Sequence, residues 1–96
     1  MITRIVKMTF RPEAREEFLS IFNANKQFIA GFEGCTSLQI LNEKSKPEVF
    51  FTISTWESEE HLNRYRDSEL FANVWGKTKT MFAAKPEAWT LEGFKQ

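Results

Sequence analysis

Alternation opens the chain. Between Ile2 and Phe10, the residues Ile2, Val6, Met8 and Phe10 fall on one side, with Arg4 the single polar break among them. Thr3, Ile5, Lys7 and Thr9 fall on the other. A period of two marks a β-strand. Pro12 follows, tolerated in a first helical turn. Glu13, Glu16 and Glu17 then crowd a position where the helix dipole favours anions. Phe18, Ile21, Phe22, Asn25, Phe28 and Ile29 recur at helical spacing, and Gly31 is a natural stop. The pattern predicts a helix from Pro12 to Ala30, with Asn25 the polar member of its apolar stripe.

Gly34 introduces a second strand over Cys35–Leu41. The polar run Asn42–Pro47 makes a turn, and Val49–Trp56 is a third strand of strongly strand-like composition. Ser58 is a candidate N-cap, with Glu59 and Glu60 in the first turn of a short helix to Arg66. Leu62 and Tyr65 form its apolar side. Asp67 and Ser68 interrupt this helix, and a second segment from Glu69 to Ala83 places Leu70, Phe71, Val74, Trp75, Thr78, Met81 and Phe82 on one broad face. Pro86 ends it, and Pro86–Phe94 reads as a last strand.

The order is β-α-β-β-α-β with a split second helical layer. It predicts one α+β domain over residues 1–96, ferredoxin-like, with an antiparallel sheet carrying its helices on one face. In the third strand both registers are apolar, Phe51 and Ile53 on one side and Phe50 and Trp56 on the other. A sheet face without helices should read polar, and this one does not. The chain has no spare element to cover it, so a second subunit is the expected cover. The expectation is a homodimer, a dimeric α/β barrel.

Composition narrows the function classes. Hydrophobic residues make up 42% and aromatic residues 15% of the chain, including ten Phe and three Trp. That weight of rings fits a bulky core, an aromatic-lined pocket or a subunit interface. Lys plus Arg equals Asp plus Glu at 13 each, which lacks the basic excess of nucleic-acid binders. With Cys35 alone, no intramolecular disulfide forms, and the chain reads as intracellular. The charged N-terminal stretch does not fit a signal peptide, and no apolar run approaches the roughly 20 residues that span a bilayer. A soluble, cytoplasmic protein is expected, without nucleic-acid or membrane partners.

Three stretches carry a family resemblance. They are Phe32-Glu33-Gly34-Cys35 at the entry to the second strand, Phe51 through Leu62 across the strand-Trp-Glu-Ser junction, and Tyr65-Arg66-Asp67-Ser68-Glu69-Leu70-Phe71 with Trp75 one turn on. Over nearly its whole length the chain resembles the antibiotic-biosynthesis-monooxygenase-like family of the dimeric α+β barrel superfamily. That resemblance implies a choice of activities. Some members oxidise phenolic polyketides or quinols with oxygen and no metal or flavin, some break down haem, and some process small signalling molecules. The haem-degrading members use an Asn on the first strand, a Trp on the short helix and a haem-ligating His on the last helix. The matching positions here are Val6, Tyr65 and Trp75, which lack that chemistry. No haem, flavin or metal is therefore expected.

No glycine-rich phosphate loop, paired-cysteine metal site or nucleophile elbow is present. The candidate catalytic pair is Tyr65 with His61, the only histidine, one helical turn before it. Against this, His61 would sit on the solvent edge of its helix and Tyr65 would be a satisfied core hydroxyl. Trp56, Phe71 and Trp75 are candidate flat walls for an aromatic substrate, or simply core. Asn25 either bonds a local backbone group or points a polar handle into a cavity. Arg4 either binds an anion or marks a solvated strand end, and Cys35 packs as a small apolar group. The leading expectation is a cofactor-independent monooxygenase acting on a small electron-rich aromatic, a quinol or polyphenol. The pocket is expected between sheet and helices, at the Asp67-Ser68 break, with Tyr65 at its polar end. The alternatives are a non-catalytic binding or structural dimer and an isomerase of a small oxygenated metabolite.

Overall fold

The structure, a computed structural model, describes residues 1–94. The last two residues of the domain expected over 1–96 lie outside the described residues. Four strands, β1 (Ile2–Thr9), β2 (Cys35–Asn42), β3 (Val49–Trp56) and β4 (Glu87–Glu92), form one antiparallel sheet in the order β2-β3-β1-β4. Helices α1 (Arg15–Ala30), α2 (Glu59–Arg66) and α3 (Glu69–Thr78) complete the ferredoxin-like α+β order.

Alternation decides which side chains meet the helices. Along β1 these are Arg4, Val6 and Met8, opposite Ser54, Thr52 and Phe50 of β3. Met8, Phe10, Phe18, Phe22, Phe50 and Met81 form the main buried cluster. Phe10 is its centre, with ring centroids 4.1 Å from Phe18, 6.0 Å from Phe50 and 5.4 Å from Phe82. Burying one such ring contributes about 1.5–3 kcal/mol, and each well-placed ring pair about 0.5–1.5 kcal/mol more.

The opposite sheet face has no helix. Register aligns Gln39, Ile53, Ile5 and Trp89 in one row across all four strands, with Leu41, Phe51, Lys7 and Glu87 in the next. Ile5, Phe51 and Ile53 are half-buried by neighbours within the sheet. At the margins Leu41 and Leu91 are each 46% exposed and Trp89 41%. The apolar patch on this face therefore centres on Ile5, Phe51 and Ile53, with Gln39 and the Lys7–Glu87 ion pair interrupting its rows.

Element boundaries depart from expectation where distant parts of the chain intervene. Pro12–Ala14 forms a 3-10 turn, and the α-helix starts only at Arg15. The last helix ends at Thr78, well short of Ala83. Lys79–Met81 tightens to a 3-10 turn, and Phe82 is extended at φ −74°, ψ 141°. Phe82 then bridges to Phe10, and the Ala83 N–H donates to the Thr9 carbonyl at 2.8 Å. The strand end captures residues that propensity assigns to the helix. Phe28 is another departure, 56% exposed. It lies about 100° around the helix from Ile29, off the line through Phe18, Phe22 and Ile29 that meets the sheet.

Candidate functional site

The break at Asp67-Ser68 is held by one hydroxyl. Ser68 Oγ donates to the Tyr65 carbonyl at 2.6 Å and accepts from the Phe71 N–H at 3.1 Å. It thereby ends α2 and caps α3 with a single side chain. Ser58 caps α2 in the same manner, accepting from the His61 N–H at 3.2 Å. Acidic Glu59 and Glu60 at the start of α2, and basic Arg64 and Arg66 at its end, complement the helix dipole.

Two short helices meeting at a fixed bend do not cover the sheet as one rod would. A cavity of about 610 Å³ lies between them and the sheet, within the usual range for small-molecule sites. Val6 and Met8 of β1 and Leu38 of β2 supply apolar floor, while Phe71, Val74 and Trp75 of α3 supply the roof. Thr52 and Ser54 of β3 add hydroxyls to the floor, and Pro86 to Ala88 form a rim. Arg4, Asn63, Tyr65, Arg66 and Asp67 gather polar groups on the wall.

Tyr65 stands within an aromatic stack. Its ring is stacked on Trp56 at 5.1 Å and meets Phe32 and Phe71 edge-on at 5.4 and 5.3 Å. The stack runs on through Phe71 to Trp75 at 5.8 Å. Burial, with a smaller contribution from the nearby Cys35 thiol, pushes the Tyr65 phenol up to about 12. It is therefore a neutral hydrogen-bond donor at ordinary pH, not a base. Burial also pushes the Cys35 thiol up.

Of the candidate residues, the structure brings Tyr65, Phe71 and Trp75 together on the cavity wall. Trp56 is 0% exposed and lies behind Tyr65, its Nε1–H donating to Ser54 Oγ at 3.0 Å. His61 is turned from the cavity. Its Nδ1 shares a hydrogen bond with Ser58 Oγ at 2.7 Å, and its imidazole packs on buried Gly34, whose φ of 89° suits glycine. Asn25 donates from Nδ2 to the Ile21 carbonyl of its own helix at 2.8 Å. Thr52 and Ser54 were not among the candidates. Their signal is two hydroxyls between Phe50 and Trp56 in the register that packs under the helices. Among the described residues, no group of three His, Cys, Asp or Glu is placed to hold a metal ion, and no helix is long and apolar enough to cross a membrane.

A four-stranded antiparallel sheet with a split helical roof defines the class as a ferredoxin-like α+β fold. The family model described as antibiotic biosynthesis monooxygenase matches residues 1–75, and the chain belongs to that family. No curated protein matches the sequence. Among solved structures, it is similar to an antibiotic biosynthesis monooxygenase crystal structure at 15% identity and TM-score 0.93, covering 99% of this chain and 100% of that one. A conserved protein from Methanosarcina mazei Go1 shares 21% identity at TM-score 0.88, over 95% and 91% of the two chains. Rv0793 from Mycobacterium tuberculosis shares 16% identity at TM-score 0.90, over 99% and 96%. At these identities the likeness establishes the fold.

Proposed function

We propose that this protein is a monooxygenase that oxidises a small electron-rich aromatic, a quinol or polyphenol, with molecular oxygen and without a metal or flavin. The observation that carries the reading is the ring-walled cavity with the neutral Tyr65 phenol on its wall. Flat rings at Phe71 and Trp75 suit an aromatic ligand. The Tyr65 hydroxyl suits a ligand oxygen, to which it donates a hydrogen bond. An electron-rich phenol can itself reduce oxygen. For a phenol with an open para position, one oxygen atom enters the ring to give the quinone, the other leaves as water, and the substrate supplies all four electrons. The protein's part is to exclude water, orient the ring and donate a hydrogen bond to developing negative charge. A second copy of the chain, seated on the helix-free sheet face, would complete a dimeric barrel and cover Ile5, Phe51 and Ile53.

Oxygen uptake across a panel of quinols and naphthols tests the reading. Turnover of at least one substrate is expected. Tyr65→Phe should lower kcat by roughly 10²–10⁴-fold, the scale for acid–base and donor groups, with the melting temperature little changed. Oxygen uptake that persists undiminished in Tyr65→Phe would remove Tyr65 from the mechanism. No uptake with any member of the panel would sink the oxidation.

A further inference from the structure

Arg4 is the residue that breaks the apolar register of β1, and the structure gives the break a destination. Its side chain lies on the helix side of the sheet, on the cavity wall, with Nη1 donating to Thr90 Oγ1 of β4 at 2.7 Å. Arg66, in the last turn of α2 and next to Tyr65, reaches the same wall. Among the described residues, neither guanidinium sits in an ion pair. One carboxylate also lines the cavity, that of Asp67, while Glu87 contributes to the rim and its register turns its side chain to the helix-free face. Glu87 is taken by Lys7 of the helix-free face at 3.7 Å, and Asp67 pairs with neither arginine.

We infer that the cavity binds an aromatic acid, with the carboxylate of the ligand held by Arg4 and Arg66 and its ring lying against Phe71 and Trp75. This rests on the reading of the cavity as a substrate site and names the substrate class. A half-buried arginine that, among the described residues, bonds only a neutral hydroxyl retains donors for an anion. Burial, and then the charge of Arg66, hold the Arg4 pKa below the usual guanidinium value, as expected for like charges facing one space without a counter-ion. A guanidinium's planar fork matches a carboxylate. With Asp67 on the same wall, a monoanion is favoured over a phosphate dianion, which that carboxylate would repel more strongly. The helix-dipole role of Arg66 explains a cation at the end of α2, but nothing of that kind explains Arg4 inside an apolar strand face.

Calorimetric titration with three matched probes, 2-naphthoate, 2-naphthamide and 2-naphthyl phosphate, tests this. The acid is expected to bind at least about tenfold more tightly than the amide, since charge-assisted bonds are the stronger kind, and more tightly than the phosphate. Arg4→Gln and Arg66→Gln should each weaken the acid by about tenfold or more and leave the amide within about twofold. Arg66 is exposed, so its variant should fold normally even if Arg4→Gln does not. Equal binding of acid and amide, or unchanged acid binding in Arg66→Gln, overturns the carboxylate subsite while leaving an aromatic cavity standing. Tightest binding of the phosphate overturns the choice of anion. Binding of none of the three overturns the cavity reading itself, and this inference with it.

Discussion

Tyr65 is the one tyrosine of the chain, so its ionisation can be followed without ambiguity. Burial raises its phenol from 10.0 to about 12. Two units correspond to about 2.7 kcal/mol of preference for the neutral form, an upper bound because the cavity admits some water. The folded state holds the proton to higher pH than the unfolded chain does. The contribution to stability is therefore fully present below about pH 10 and is lost as pH rises toward about 12. At about pH 11 the loss comes to about 1.4 kcal/mol. Titration of the phenolate ultraviolet absorbance should give a midpoint near 12 in the folded protein, and near 10 in denaturant. Lysines lose charge in the same range, so the stability effect is read as a difference. Between about pH 9 and 11, urea denaturation of the natural chain should lose about 1.4 kcal/mol more than that of Tyr65→Phe. Cys35→Ser separates the two causes, and the midpoint should fall only slightly, because burial is the larger. A folded-state midpoint near 10 would mean a solvated hydroxyl, and the neutral donor assigned to the site would be lost.

Other consequences follow from single contacts. Gly34→Ala puts a methyl into the His61 imidazole at a backbone φ of 89°. It should cost about 2–4 kcal/mol in chemical denaturation, with part of the loss restored by His61→Ala if the ring contact is the cause. Ser68→Ala removes the hydroxyl that joins the Tyr65 carbonyl to the Phe71 N–H. A loss of about 1 kcal/mol is expected, together with weaker binding of any cavity ligand, since both flanking rings are on the wall. Ile53 stands mid-row on the helix-free sheet face, so if a second copy covers that face, sedimentation should give a dimer for the natural chain and a monomer for Ile53→Lys. A natural chain that sediments as a monomer at micromolar concentration would refute the dimer.

How far the sequence shows all this depends on whether the deciding contact is local. The limits of β3, Val49 to Trp56, are read correctly from its strand-like composition between the polar turn and the Ser58 cap, because those signals are local. The end of the last helix is missed because Phe82 and Ala83 answer to Phe10 and Thr9, more than seventy positions away. The cap at Ser58 is legible, since a cap is a contact within three residues. The packing of His61 is not legible, because it needs the fold to bring Gly34 beneath it.

The polar residues in apolar registers make the sharper case. Asn25 and Arg4 pose the same puzzle in the sequence, a polar side chain where the periodicity asks for an apolar one. Their outcomes differ because the two kinds of backbone offer different partners. On a helix, the carbonyl one turn back lies within reach of a short amide, and Asn25 takes the Ile21 carbonyl at 2.8 Å. The residue is satisfied by its own helix and demands nothing of the space in front of it. On a strand, the backbone groups point sideways to the neighbouring strands and are used by the ladder, so a side chain rising from the sheet finds no local backbone acceptor. Arg4 must therefore reach across to Thr90 and still has donors left over. Thr52 rises from the same sheet face into the same cavity. A polar break in a helical stripe can thus be closed by its own backbone, whereas one on a strand face has to be answered by a side chain of the sheet, by another element or by a ligand. That asymmetry is what directs attention to Arg4, and not to Asn25, as the residue on this cavity wall with donors left over for a ligand.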